Sequence, residues 1–127
     1  MSLAHLTLPT RDVAGTARFF EQTLGWPRTS APGNSPVELI WLQMGPGQQV
    51  HIINVDDFQV SPFEREFGRH FAVFHPRNGF DALKKKVVEL GGEVIDAIRP
   101  TPFDRFFFKD PNGYAFEVIA QEEYVAE

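Results

Sequence analysis

The sequence predicts an α+β fold: two βαβββ modules forming curved mixed sheets around a cavity. Three observations predict it. The second half of the chain restates the first about 66 positions later, so that Asp12 maps to Asn78, Leu24 to Leu90, Gly25 to Gly91, Leu42 to Phe108 and Gly47 to Gly113. Each half holds one segment of helical period among segments of strand period. Neither half could bury both faces of its own sheet, so two such units must pack together, within a chain or between chains.

Taken in order, the first strand is expected at about residues 3–8, ended by Pro9-Thr10-Arg11-Asp12, with Asp12 as a helix N-cap. Val13, Ala17, Phe20 and Leu24 then recur on one helical face, and Gly25 supplies a left-handed stop. Residues 27–36, rich in Pro, Ser, Gly and Asn, read as a loop with a short edge strand. Leu39 to Gln43 and Gln49 to Asn54 form a hairpin around Met44-Gly45-Pro46-Gly47. The second half follows the same order. A strand is expected from His70 to Phe74, then a helix capped by Asn78 with Asp81 in a capping box and an apolar face of Phe80, Leu83, Val87 and Leu90. Gly91-Gly92 stops that helix, Glu93 to Ala97 forms a short strand, and Phe106-Phe107-Phe108 pairs with Tyr114 to Ala120 across Asp110-Pro111-Asn112-Gly113. The expected domain is single, with module 1 at about 1–55, a linker at 56–68 and module 2 at about 69–121.

Composition narrows the function classes. At 127 residues the chain can bury a core without disulfides or a structural metal. Cysteine is absent, which removes thiolate metal sites and a Cys nucleophile. A net charge of −5, with Lys84-Lys85-Lys86 as the single basic run, argues against nucleic acid as a partner. No apolar run is long enough for a membrane span, and Arg11, Asp12 and Arg18 interrupt any secretion signal, so a cytoplasmic location is expected. Thirteen Phe are too many for so small a core to hide, and some are expected to line a ligand cavity or a subunit interface.

The repeat also brings chemistry together. His5 and His70 open corresponding strands, while His51 and Glu117 stand 66 positions apart near the ends of the two halves. A duplicated fold relates such positions by a pseudo-twofold axis, which makes His5, His51, His70 and Glu117 candidate metal ligands. Glu117 lies between Phe116 and Val118 in an apolar strand, where an unpaired carboxylate would cost several kcal/mol or titrate upward. A bound cation resolves that cost, and so does a buried ion pair with Arg105. His75 should point the other way, toward the helix layer. His51 is either a fourth ligand or an acid/base group facing substrate; His51 and Glu117 are the candidate catalytic residues. Arg105, Phe103 and Trp41 are the candidate substrate contacts. Against that, Arg99 and Arg105 also read as surface charge, and Trp26 and Trp41 as core or interface residues.

These features closely resemble the vicinal oxygen chelate superfamily, which includes glyoxalase I, fosfomycin-resistance thiol transferases, type I extradiol dioxygenases, methylmalonyl-CoA epimerase and bleomycin-resistance proteins. The resemblance is carried by His5-Leu-Thr-Leu with Arg11-Asp12, by Phe19-Phe20-Glu21-Gln22-Thr23-Leu24-Gly25, by His70-Phe-Ala-Val-Phe and by Phe108-Lys-Asp-Pro-Asn-Gly113-Tyr-Ala-Phe-Glu117-Val. It implies a glyoxalase-like fold in which the first and fourth strands of each unit supply the metal shell, here His5, His51, His70 and Glu117. It further implies a divalent metal, Fe, Mn, Zn, Ni or Co, acting as a Lewis acid on a small oxygenated substrate. A homodimer is implied, with sites often shared between chains. At His51 the sequence departs from glyoxalase I, where a Glu stands, which argues against that activity. The enzyme expected is a lyase, isomerase or dioxygenase. The rival class is a metal-free small-molecule binding protein like those that sequester bleomycin.

Overall fold

The structure, a computed structural model, describes residues 2–126. Its elements run β1 (His5–Thr10), α1 (Val13–Thr23), β2 (Arg28–Thr29), β3 (Leu39–Gly45), β4 (Gln48–Asn54), β5 (Phe71–His75), a 3-10 turn (Arg77–Gly79), α2 (Phe80–Glu89), β6 (Glu93–Ile95), β7 (Arg105–Lys109) and β8 (Ala115–Ala120). They form two four-stranded mixed sheets of identical topology, β1-β4-β3-β2 and β5-β8-β7-β6. The fold is the α+β arrangement expected, and it divides into two compact units at Gln59 and Val60.

In the first unit, β1 lies parallel to β4, and β3 and β4 form the antiparallel hairpin. The pleat separates its residues cleanly. Leu8, Leu42, Val50 and Ile52 are fully buried on one face, beneath Val13, Ala17 and Phe20 of α1. Asp12 caps α1, its Oδ1 accepting the Gly15 N–H at 3.0 Å. The first strand runs on through Pro9 and Thr10 rather than stopping before them. The ladder explains why: Ala4 and Thr10 use their carbonyls toward β4, at Gln49 N and Val55 N, so the nitrogen of Pro9 falls on the outer side of an edge strand, where a missing N–H breaks no rung.

The second unit repeats the plan. Phe106, Phe108, Phe116 and Val118 are buried on the helix side of the sheet, with the Phe80 ring of α2 edge-on to Phe106 at 5.0 Å. His75 stands on that side too, its ring 6.4 Å from Phe80. All six residues of β8 are buried. The four residues with positive φ among those described are Gly25, Gly47, Gly91 and Gly113, two pairs related by the 66-position repeat. The capping box at Asn78 does not form. Asn78 lies inside the 3-10 turn, Gly79 is the N-cap of α2 without a side-chain bond, and the exposed first amide of the turn, Arg77 N, is taken by Glu122 Oε1 at 2.7 Å. Pro76 drives this difference, because its fixed φ starts a tight turn that closes by Gly79 N donating to Pro76 O. The second strand of this unit ends at Ile95 rather than Ala97. Among the described residues no helix is long and apolar enough to cross a membrane.

Candidate functional site

The second unit holds a tightly built polar cluster on the face of its sheet opposite α2. Glu117 pairs in register with Phe107 on one side and Ala72 on the other, so its side chain shares a face with Arg105 and Phe107. Only 8% of Glu117 is exposed. Both of its oxygens are engaged: Oε2 accepts from Arg105 Nη1 at 3.1 Å, and Oε1 lies 3.2 Å from His70 Nε2. The buried ion pair with Arg105 is therefore real, and it uses one carboxylate oxygen only. His70 is oriented from behind, its Nδ1 standing 3.2 Å from the Arg65 carbonyl and its ring edge-on to Phe107 at 5.1 Å.

That geometry tests whether a metal ion fits. A carbonyl oxygen can only accept, so Nδ1 of His70 carries the ring hydrogen, and in the neutral imidazole Nε2 presents a lone pair to a carboxylate oxygen. In that form two acceptors face each other across 3.2 Å. A proton or a cation between them removes the conflict. Adjacent ligands bound at about 2.1 Å in octahedral or tetrahedral geometry sit roughly 3.0 to 3.4 Å apart, which brackets the observed separation. Donation of the second ring N–H to a backbone carbonyl is also the usual support of a ligating histidine. His70 and Glu117 fit as two ligands of an N/O site.

In the first unit, His5 and His51 also meet, but as a stack. Their ring centroids are 3.9 Å apart with planes 16° from parallel, and Trp41 covers the other face of His51 at 3.7 Å and 4°. His51 Nε2 lies 2.9 Å from Gln49 Oε1. An amide oxygen accepts, so Nε2 carries the hydrogen and Nδ1 the lone pair. Burial, and then the neighbouring charge of His5, lowers the pKa of His51, which keeps it neutral at physiological pH. A metal lies in the plane of each ring that binds it, so nearly parallel rings at this spacing do not both reach one ion. For both to ligate, the exposed His5 would have to turn, since His51 is held between Trp41 and His5. Among the described residues no three His, Asp or Glu side chains are grouped to hold an ion.

Of the other candidates, Arg105 is buried, with 4% side-chain exposure, in a cluster rather than open to solvent. Phe103 is buried with its ring 5.1 Å from Tyr124, and Trp41 is the outer ring of the histidine stack. A cavity of about 130 Å³ adjoins the His70–Glu117 pair through Phe107 and is lined further by Glu64, Glu66, Ile95, Ile98 and Ala115. Two of these residues lie within the expected linker at 56–68. Glu64 is buried and accepts from Ala115 N at 2.9 Å and Arg69 Nη1 at 2.8 Å, and Glu66 accepts from Ile98 N, Arg99 N and Arg105 Nη2. The signal that would have found them is two acidic residues alternating in a segment otherwise rich in Phe and Arg.

The family profile of the Glyoxalase/Bleomycin resistance protein/Dioxygenase superfamily matches residues 2–118. Among solved structures, the genomically encoded fosfomycin resistance protein FosX of Listeria monocytogenes is similar at 22% identity over 100% of this chain and 94% of that one, with a TM-score of 0.75. FosX of Mesorhizobium loti is similar at 22% identity over 94% of this chain and 90% of that one, with a TM-score of 0.72. A glyoxylase/bleomycin resistance protein/dioxygenase domain from Frankia sp. EAN1pec is 16% identical over 94% of this chain and 90% of that one, with a TM-score of 0.74. At these identities the likeness is one of fold. No match is found among curated proteins. With two repeat-related sheets of this topology and a profile match across nearly its whole length, the chain belongs to the Glyoxalase/Bleomycin resistance protein/Dioxygenase superfamily.

Proposed function

We propose that the protein is a cytoplasmic, homodimeric, metal-dependent enzyme of the glyoxalase/dioxygenase type that acts on a small oxygenated substrate. His70 and Glu117 are two of its metal ligands, and His5 and His51 are the candidates from the first unit. The observation that carries this reading is the approach of His70 Nε2 to Glu117 Oε1 at 3.2 Å while His70 Nδ1 is committed to the Arg65 carbonyl, a spacing that fits a cation shared by the two side chains. A divalent ion there would supply Lewis acidity toward two neighbouring substrate oxygens.

The chain's own residues have definable parts. Arg105 fixes Glu117 through Oε2, so the carboxylate presents Oε1 alone. Phe107 walls the cavity of about 130 Å³ beside the pair, which suits a substrate of few heavy atoms. Neutral His51, with its hydrogen committed to Gln49, takes a proton at Nδ1. In support, a FosX variant from Listeria monocytogenes, 21% identical, forms a complex with Mn(II) and 1S,2S-dihydroxypropylphosphonic acid, a small oxygenated molecule.

A second reading, a metal-free binding protein, is favoured by one observation: Arg105 already neutralises Glu117. Elemental analysis with analytical ultracentrifugation separates the two. The enzyme reading expects a dimer carrying about one equivalent of Mn, Fe, Co, Ni or Zn per chain, reduced at least roughly tenfold in His70→Ala and in Glu117→Ala. A monomer without metal that binds cationic aromatic compounds would sink it.

A further inference from the structure

We propose that Glu66 is a positioning residue, which draws Arg105 away from Glu117 far enough to leave one carboxylate oxygen to His70. The metal consequence rests on the function proposed above; the geometric claim does not.

A buried arginine beside a buried carboxylate ordinarily closes a two-pronged fork on both oxygens. Arg105 does not. Its Nη1 meets only Oε2 of Glu117, at 3.1 Å, while Nη2 is taken by Glu66 Oε2 at 2.9 Å and by the Arg99 carbonyl at 2.6 Å. The Nε of Arg105 is buried without a hydrogen-bond partner. Giving up that bond costs free energy, so the guanidinium is held where it is by something other than Glu117. Glu66 and the Arg99 carbonyl are the groups placed to do it, and of the two Glu66 alone brings a charge. Its carboxylate is pinned by the backbone amides of Ile98 at 2.6 Å and Arg99 at 2.9 Å, so it cannot follow Arg105. Burial raises its pKa, but those two amides and Arg105 outweigh burial and hold it low, so the carboxylate is ionised.

The segment that carries Glu66 is itself anchored. Glu64 is tied to Ala115 N and Arg69, and Arg69 N donates to Phe63 O at 2.8 Å. One residue from Glu66, the Arg65 carbonyl receives His70 Nδ1. Residues 64–70 thus act on the His70–Glu117 pair from both sides: through a carbonyl on the histidine, and through Glu66 and Arg105 on the carboxylate.

The test is Glu66→Gln, which keeps the side chain's size and one acceptor oxygen but removes the charge that competes for Arg105. With Mn(II) as the probe, titrated by calorimetry or electron paramagnetic resonance, affinity should fall roughly 10- to 100-fold. Arg105→Gln added to Glu66→Gln should restore part of that loss, because no guanidinium remains to close on Glu117. A merely structural Glu66 gives the opposite pattern: a lowered Tm, with affinity unchanged in the single variant or falling further in the double. Metal-free crystals of Glu66→Gln decide the geometry independently, and should show Arg105 in contact with both oxygens of Glu117. Arg105 found unmoved would overturn the proposal. If the wild-type protein takes up no Mn(II) yet Arg105 moves in the variant, the metal reading falls and the positioning role stands. Should Glu66→Gln not fold, Glu66→Asp, which shortens the reach while keeping the charge, carries the same two readouts.

Discussion

Asp110 shows how a residue that looks like ordinary turn chemistry becomes a burial problem. In Asp110-Pro111-Asn112-Gly113 its carboxylate accepts the amides of Asn112 at 3.1 Å and Tyr114 at 2.9 Å, yet only 3% of the residue is exposed. Burial outweighs those bonds and pushes its pKa up from 3.8 to about 6. The folded protein then holds its proton where the unfolded chain has lost it, so this group's contribution to stability falls as pH rises from 3.8 to about 6 and is level above. The expected size is up to ~3 kcal/mol. Urea midpoints of wild type against Asp110→Asn, taken from pH 4 to 7, should show that relative loss; parallel profiles would mean the carboxylate ionises as freely as in the unfolded chain. The turn itself was legible from its four residues, but its burial was not, because that depends on what packs over it. Glu117 was the easier case. A lone carboxylate between Phe116 and Val118 demands a counter-charge, and both Arg105 and a cation could be named from the sequence.

At the scale of elements, the helices and hairpins were legible where local chemistry decides them: the Asp12 cap, the apolar stripes of α1 and α2, and the glycine-bearing turns. What was lost lay where tertiary partners decide. Asn78, expected as a helix cap, lies inside a turn whose first amide, Arg77 N, is served by Glu122, 45 residues away. The segment 64–70 is the largest such loss, because nothing local in Phe63-Glu64-Arg65-Glu66-Phe67-Gly68-Arg69 tells which backbone amides its carboxylates will find. Gly68 is the exception that can be argued from geometry. A Cβ there would sit 2.1 Å from the Phe63 carbonyl oxygen and 2.9 Å from Arg65 Cγ. Gly68→Ala should therefore open the contact that seats this segment, costing roughly 1–3 kcal/mol. Hydrogen exchange at Arg69 N, which bonds the Phe63 carbonyl, checks it; unchanged protection would show that the turn relaxes without loss.

For the molecule as a whole, the duplication was the most legible property, since an offset of 66 orders glycines, helix ends and sheet topology alike. The repeat is equal in backbone and unequal in chemistry: the first unit presents a stacked His5–His51 pair, the second a His70–Glu117 couple whose nitrogen and oxygen stand 3.2 Å apart. The phenylalanines divide similarly, with Phe107 facing the cavity while Phe63, Phe67 and Phe74 stay exposed. In each unit the two candidate groups sit on the strands that pair in parallel, β1 with β4 and β5 with β8, or, for His70, immediately before one, at sequence separations of 46 and 47 positions. The antiparallel hairpins close over short turns, but the parallel strand must return across the whole unit, so its loop-closure entropy delays it. The candidate ligands are then among the last groups to meet as the chain folds. Mn(II) should leave the refolding rate unchanged and slow unfolding, a split that stopped-flow fluorescence of Trp26 and Trp41 can read; faster refolding with metal would show the pairs forming early. On this order of events a bound ion would take no part in nucleating the fold: it would be acquired by a chain already folded, and would delay that chain's unfolding.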